Sequence, residues 1–545
     1  MILWSGPFLP LAALIWPLLL GLAVALPPVR AHALRLLPLA PLPALALALM
    51  GQSDETAAPI LLLGVRLAMD ESTRLLLGMT AGLWLAAGIF AQSMAGGRNL
   101  ALFAGFWCLT LTGNLGVFLA VDVITFYAAF AAVSLAAWFL VVHDRTSAAL
   151  RAGRIYIVLA VLGEVCLLVA FLIGAQAADS LLITDIRMAL AEAPLGAVAV
   201  ALLVVGFGIK AGMVPLHIWL PLAHPAAPVA ASAVLSGAIV KAGLVGFWLF
   251  LPPGTFAVGL LALGLAGAFG AALWGLTQAN PKAVLAYSTI SQMGLMLALT
   301  GGGAAPQGVA FYAVHHGFAK GALFLVAGAV MGSAGRARML LLGVAGVLAL
   351  SVIGLPLTGG GAVKAAAKSG LSEGLALAIT ASGTTTALIL GWFLWRLGRS
   401  EAVQSTAAVP QRVSVVILAI AAVLGPWLLW PQAIGLAPAY AVSASAVYSG
   451  LWPLALAVGL ALALRLMRHD MPQLSRGKLF DGAGFDRLAG WRFSDGGIRP
   501  LVLPALALAP RVCDKIFLVE QSLKRWRWSG VGVVTALLVL TLAMR

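Results

Sequence analysis

Charge is the scarcest ingredient of this 545-residue sequence: Asp, Glu, Lys and Arg together make up 9% of it, against 62% hydrophobic residues. Soluble domains carry about 25% charged residues. So little charge cannot cover a surface that faces water, which excludes a soluble enzyme and makes the bilayer the natural solvent. Acidic residues are scarcer still, 18 against 33 Lys and Arg, and the net charge is +15. Membrane proteins keep Lys and Arg in cytoplasmic loops, so the basic excess speaks for topology and against a nucleic-acid partner. Cysteine is nearly absent, and Cys108, Cys166 and Cys513 are scattered. Their spacing signals neither a disulfide framework, a metal site nor an iron–sulfur centre. The sequence also lacks a phosphate-binding loop and any quinone, flavin or nucleotide motif. No cofactor and no catalytic centre of its own are expected, so any redox chemistry belongs to a partner.

What the sequence has is one long apolar run after another. A spanning helix needs about 20 apolar residues. That ruler places spans near 7–26, 33–50, 74–93, 100–119, 122–142, 154–175, 194–214, 228–250, 256–277, 283–301, 307–332, 338–357, 374–396, 412–431, 444–466 and 529–544. The first run has no basic region ahead of it and no small-residue cleavage site, so it reads as a first span and not as a removed signal. With the N-terminus outside, the loops holding Arg30 and Arg35, Arg98, Arg145 with Arg151 and Arg154, Lys282, Arg336 with Arg338, and Arg396 with Arg399 and Arg412 all face the cytoplasm. So does the stretch 468–527. The outer loops hold Arg66, Arg74 and Arg187, mixed with Asp54, Glu55, Asp70, Glu71 and Asp185. This is a consistent positive-inside pattern, and the even number of spans returns the C-terminus to the outside. The Ala/Leu-heavy usage suits a bacterial inner (plasma) membrane.

Two spans look interrupted, one near Lys210–Pro215 and one near Gly354–Lys364. Each sets Gly and Pro beside a lysine at a similar place in a five-helix block. Paired broken helices in two halves point to a transport site between inverted repeats. The chain then divides into N-terminal spans (1–99), a first repeat (100–250), a second repeat (256–397), two more spans (398–466), a cytoplasmic-side segment (467–528) and a last span (529–545). Within that segment, 505–527 reads either as an amphipathic helix along the membrane surface, with Lys524, Arg525 and Arg527 at the headgroups and Trp526 and Trp528 as anchors, or as an ordinary basic linker.

An ionisable side chain inside an apolar run is a functional candidate by default, because it costs several kcal/mol to keep there. The candidates are Glu164, Lys210, His217, His224, Lys241, His315, His316, Lys320 and Lys364, with Lys368 nearby. Desolvation disfavours a charged lysine and a nearby carboxylate favours it. A lysine whose distance from a carboxylate changes therefore takes up and releases protons, and histidine can relay between lysines. Plainer readings stand beside these. His217 follows Pro215 at a helix break and could serve only as a cap. His224 sits in a "HPAAP" turn and could be structural. Lys282 reads as a cytoplasmic loop charge, and Lys368 could snorkel to a boundary. Lys210, Lys241 and Lys320 have apolar residues on both sides and resist a plain reading.

At these residues the sequence resembles the antiporter-like subunits shared by respiratory complex I, membrane-bound hydrogenases and Mrp-type cation/proton antiporters. The stretch "IKAGMVPLHIWLPLAHPAAPVAASAVLSGAIVKAGLVG" matches the family hallmark, with Lys210 on the broken helix and Lys241 on the next. "NPKAVLAYSTISQMG" resembles the following signature, and "HHGFAKGALFLVAGAV" the His-then-Lys pattern of His316 and Lys320. "GLPLTGGGAVK" matches the second broken helix and gives Lys364 the place of the terminal lysine. The resemblance covers roughly 100–400. It implies an all-α polytopic membrane protein of about 14 core helices with two inverted five-helix repeats, broken at helices 7 and 12. It also implies proton translocation along a mid-membrane relay, and assembly with other membrane subunits. Two spans beyond the core, separated by the basic segment, are similar to the longer members with a lateral helix.

The sequence departs from the family in its acids. In "DVITFYAAFAAVSL" Ala131 stands where relatives carry a glutamate, and Leu222 replaces the acid of "WLPDAH". Glu164, in "IYIVLAVLGEVCLL" on the adjacent helix, is the expected replacement partner of Lys210. The leading reading is a proton-translocating, or Na+- or K+-for-proton exchanging, subunit of a larger complex, leaning toward Mrp-like or hydrogenase-like relatives. The alternatives are an energy-coupling or scaffold partner of a soluble subunit, as in proton-gradient-driven inorganic-carbon uptake, and a non-conducting structural paralogue. One charge crossing 100 mV is worth about 2.3 kcal/mol, which a chain without a nucleotide or electron carrier must take from an ion gradient or a neighbour.

The orientation is checked with reporter fusions. Alkaline phosphatase, which works only outside the inner membrane, is expected to be active when fused after Glu55 and inactive when fused after Arg145. The reverse pattern overturns the assignment.

Overall fold

The computed structural model describes residues 8–51, 54–61, 64–94, 99–401, 407–433 and 441–469. The surface helix expected at 505–527 and the last span at 529–544 lie outside the described residues, as does Cys513. Among these described residues, fourteen helices are long and apolar enough to cross a membrane, and a shorter apolar one, Gly196–Ala211, adds to them. In chain order they are α1 Phe8–Ala25, α2 Arg30–Met50, α3 Glu71–Ala91, α4 Leu100–Leu119, α5 Val123–Val141, α6 Ser147–Ala178, α7a Gly196–Ala211, α8 Val229–Phe250, α9 Ala257–Gly275, α10 Pro281–Gly301, α11 Pro306–Met331, α12a Gly335–Ile353, α13 Glu373–Gly398, α14 Val409–Trp430 and α15 Ala444–Ala463. Each falls on a span read from the sequence. Two short helices follow the breaks: α7b Trp219–Ala226 and α12b Gly359–Ala367.

The expected interruptions after Lys210 and before Lys364 are present, and two more appear. Helix α2 is divided at Leu37–Leu39 into a 3₁₀ turn, where Pro38 and Pro41 withhold backbone N–H groups. Helix α8 contains a π turn, Leu235–Ile239. Apolar spacing alone does not reveal such an insertion, which keeps the hydrophobic run intact. The α6 helix starts seven residues earlier than the apolar run suggests. Thr146 caps it by accepting from the Ala149 N–H at 3.1 Å, and the exposed Arg151 and Arg154 ride on the helix, not in a loop.

Residues between α2 and α3 form a small antiparallel hairpin, β1 Thr56–Ala58 with β2 Val65–Leu67, in register Ala57↔Arg66. Asp122 ties it to α5. Its carboxylate accepts from Thr125 N–H (2.7 Å), which caps α5, and from the backbone N–H of Arg66 (3.0 Å).

Helix α11 lies at the centre, against α3, α8, α10, α12a, α12b and α14. Fully 94% of its most apolar window is buried, as for α10, against 11% for α15. The helices that carry most of the buried lysines and histidines are thus the ones most removed from lipid. Without a hydrophobic drive between helices in lipid, close approach depends on small residues. The α9–α10 contact shows it on both sides. A Cβ on Gly264 would stand 2.4 Å from the Ala298 nitrogen, and one on Gly294 2.6 Å from the Ala268 nitrogen. Gly264→Ala is therefore expected to destabilise the fold by about 1–3 kcal/mol, the usual cost of overpacking. The measurement is the thermal midpoint of purified protein in detergent, and an unchanged midpoint counts against the packing argument.

Candidate functional site

Lys210 occupies the last turn of α7a. Gly212 follows with φ 70°, a left-handed conformation that ends the helix and that glycine adopts without steric cost. The freed carbonyls find partners locally. Trp219 donates its indole N–H to the Ile209 carbonyl at 2.8 Å, and Met213 N–H bonds the Gly208 carbonyl at 2.8 Å. The negative end of the helix dipole is thereby placed at the Lys210 ammonium. Lys210 is 5% exposed, and its Nζ donates to the Ser134 hydroxyl at 2.7 Å. The ammonium also stands 5.4 Å from the centre of the Phe130 ring. Glu164, 6% exposed, brings its carboxyl beside the same Ser134 hydroxyl. Its Oε2 is buried without a hydrogen-bond partner among the described residues. Glu164, Ser134 and Lys210 line one cavity of about 20 Å³, walled by Phe130, Tyr156 and Trp219. A cavity of that size has room for a single water, which needs two to four polar partners. The carboxyl, the hydroxyl and the ammonium provide them.

A second cluster forms where α8 meets α11. Two residues past the π turn stands Lys241, whose fully buried Nζ donates to the Ser236 carbonyl at 2.8 Å and meets His316 Nδ1 at 2.8 Å. His316 Nε2 has no partner among the described residues. One turn along α11, the fully buried Lys320 holds its Nζ 3.5 Å from the Leu285 carbonyl oxygen. Hydroxyls connect the two lysines. Thr289 donates to that same Leu285 carbonyl at 3.0 Å and lies 2.7 Å from Ser236 Oγ.

The third cluster is at the α12 break. His315, adjacent to His316 but aimed elsewhere, meets Ser351 Oγ at 2.8 Å, and Ser351 Oγ accepts the Gly360 N–H at 3.2 Å. Central helix α11 is thereby pinned to both pieces of α12. Lys364, in the last turn of α12b, donates to the Ile353 carbonyl at the end of α12a, at 2.7 Å. Gly354 makes this crossing possible. Its φ is 97°, and a Cβ there would stand 2.8 Å from Lys364 Cδ.

The structure thus gathers Glu164 with Lys210, then Lys241 with His316 and Lys320, then His315 with Lys364. It places the remaining candidates differently. His217 lies in the α7 break, its ring 6.3 Å from that of Tyr287. His224 is fully buried at the end of α7b, not in a turn, and stacks 4.5 Å from the Phe324 ring with neither ring nitrogen hydrogen-bonded among the described residues. Lys282 is no loop charge. Asn280 caps α10 by accepting from Lys282 N–H at 2.9 Å, which turns the side chain inward to donate to the Ala227 carbonyl. The residues that sequence reasoning missed are hydroxyls: Ser134, Ser236, Thr289 and Ser351. Their signal was a small polar residue inside an apolar run, and Ser134 lies one helical turn from Ala131. Among the described residues, no three His, Cys, Asp or Glu side chains converge as a metal site would need.

Residues 120–389 match the family model described as "NADH:quinone oxidoreductase/Mrp antiporter, TM". The hydrogenase-4 component B of Escherichia coli is 29% identical over 256 residues, which is 43% of this chain and 38% of that protein. A Na(+)/H(+) antiporter subunit of Alkalihalophilus pseudofirmus is 30% identical over 251 residues, 44% of this chain and 50% of that protein. The chain thus spans half or less of the length of these curated relatives. Among solved structures, the Mrp complex from Dietzia sp. DQ12-45-1b superposes with a TM-score of 0.69 at 20% identity, over 94% of this chain and 63% of the compared one. The part of this multi-pass membrane protein that holds Lys210, Lys241, Lys320 and Lys364, residues 120–389, is thus similar to the NADH:quinone oxidoreductase/Mrp antiporter membrane family.

Proposed function

We propose that this chain is a proton-translocating subunit of a multi-subunit membrane complex. Protons step between Lys210, Lys241, Lys320 and Lys364 near mid-membrane, with His316 and His315 as relays and Glu164 as the carboxylate that sets the proton affinity of Lys210. One observation carries this reading: among the buried residues described, Glu164 is the only acid in the membrane interior, set against six buried or half-buried lysines. The other buried acid, Asp122, caps α5 beside the hairpin. An ammonium in the membrane interior is costly, and like charges disfavour one another. The lysines cannot all hold protons together, so a proton gained at one drives release from the next.

The names of the relatives extend the reading. A hydrogenase component and a sodium/proton antiporter subunit both work within larger assemblies, which favours other membrane subunits as partners and leaves Na+ or K+ as the exchanged ion. The driving energy comes from those partners or from an ion gradient. The reading includes two inverted repeats, 100–250 and 256–397, broken at α7 and α12. It also includes an outside N-terminus and a bacterial inner membrane, in keeping with the loop charges.

The test is proton flux into proteoliposomes that hold the purified complex, with and without Na+ or K+. Wild type is expected to conduct, and Lys210→Ala and Glu164→Gln to lose roughly tenfold or more, as for a barrier raised by about 1.4 kcal/mol or more. Variants that conduct like wild type overturn the role of the pair. An intact complex without flux favours the energy-coupling or scaffold alternative.

A further inference from the structure

The path as described ends at Lys364, which donates inward to the Ile353 carbonyl. Something must take the proton onward. Four residues later, at the C-cap of α12b, stands Lys368. Residues four apart on a helix bring their Cβ atoms to about 5–6 Å. The two lysines are within electrostatic reach of each other. The chain beyond Lys368 is exposed at Ser369 and Gly370 before α13 begins at Glu373. The far end of α13 meets Arg338 of α12a, whose guanidinium donates to the Leu397 and Gly398 carbonyls. Lys368 therefore lies toward the side of the molecule opposite Arg336 and Arg338.

Two hydroxyls hold the Lys368 ammonium. Nζ donates to Thr380 Oγ1 on α13 at 2.9 Å and to Ser449 Oγ on α15 at 3.2 Å. Helix α15 lies beyond residues 120–389, outside the family match. It nevertheless reaches the α12 break closely. A Cβ on Gly450 would stand 2.9 Å from the Gly354 carbonyl oxygen and 2.9 Å from Pro356, and one on Gly383 would stand 3.0 Å from Pro453 of α15. Bare glycines on α15 and α13 thus let the extra helix seat against the backbone that Lys364 crosses, with Ser449 delivered to Lys368. An ammonium offers three donors. The hydroxyls take two and leave one free on this half-buried side chain.

We propose that Lys368 is the proton carrier that follows Lys364, and that α15, through Ser449, completes the outlet. In the step, the Lys364 ammonium gives a proton to a neutral Lys368, and Lys368 releases one to water on its own side, becoming neutral again. Nothing else is consumed. Ser449 is a positioning residue: its hydroxyl orients the Lys368 amine and keeps the outlet wet.

This inference rests on the proton-translocating reading, and the experiment separates the two. In the proteoliposome assay, Lys368→Met is expected to slow proton flux roughly tenfold or more, and so is Lys368→Arg, because a guanidinium keeps its proton. A lysine that served only as a structural cation would be replaced by arginine without loss, so a conducting Lys368→Arg variant overturns the proposal. Ser449→Val is expected to slow flux while Ser449→Thr restores it, and equal flux in the two variants overturns the role of α15. A second measurement needs no conduction. In a background without native cysteines, Ser449→Cys is expected to react with a membrane-impermeant thiol reagent from the side opposite Arg338. A thiol unreactive from that side overturns the wet outlet. If wild type itself carries no flux, the proton-translocating reading falls and Lys368 has no carrier role, while the thiol result still decides whether the outlet is open to water.

Discussion

A lysine held among apolar helices must find oxygen for its ammonium, and in this protein the oxygen is mostly backbone carbonyl. Lys241 uses Ser236, Lys282 uses Ala227, Lys364 uses Ile353 and Lys320 approaches Leu285. Carbonyls inside an intact helix are already engaged by N–H groups four residues on. A break, a π turn or a helix end frees one or turns it sideways. The π turn of α8, the break in α12 and the end of α7b each supply a lysine with a carbonyl in this way, and unwound backbone is tolerable there because protein surrounds it. A carbonyl also accepts a hydrogen bond from a neutral amine, so the lysine keeps a partner when its proton leaves. A carboxylate in the same place would be left as an uncompensated buried charge.

Glu164 is the exception, a buried acid in place of a carbonyl, and in the proposed reading it serves as the partner of Lys210. Ala131 on α5 has no acid to offer. Glu164 instead comes from α6, and Ser134, one turn from Ala131, touches Lys210 directly and lies beside the carboxyl. The proposed switch pair is therefore spaced by a hydroxyl and a water-sized cavity. Small changes in that spacing alter the pull of the carboxylate on the ammonium over distances where a charge acts strongly.

The enclosure of these groups depends on glycine. Close backbone approach at Gly264 and Gly294 seats α9 on α10, and Gly354 leaves room for Lys364 to cross the break. Gly450 does the same for α15. A helix can seat this closely against a break only where side chains are absent, since packed interiors do not yield to an added methyl group without strain.

The sequence by itself determined the solvent, the number and order of the spans within the described residues, both lysine-bearing breaks and the family match. Each of these follows from local composition: apolar length, Gly and Pro beside Lys, and charge in loops. It did not determine the π turn before Lys241, the inward turn of Lys282, the different aims of His315 and His316, or the hydroxyls that bridge the charged groups. A π turn leaves the apolar run unchanged, adjacent residues on a helix point about 100° apart toward different neighbours, and a serine in an apolar helix is silent until the helix beside it is known. Only the tertiary structure brought Ser134 to Lys210 and Ser449 to Lys368, because those contacts join residues 76 and 81 positions apart.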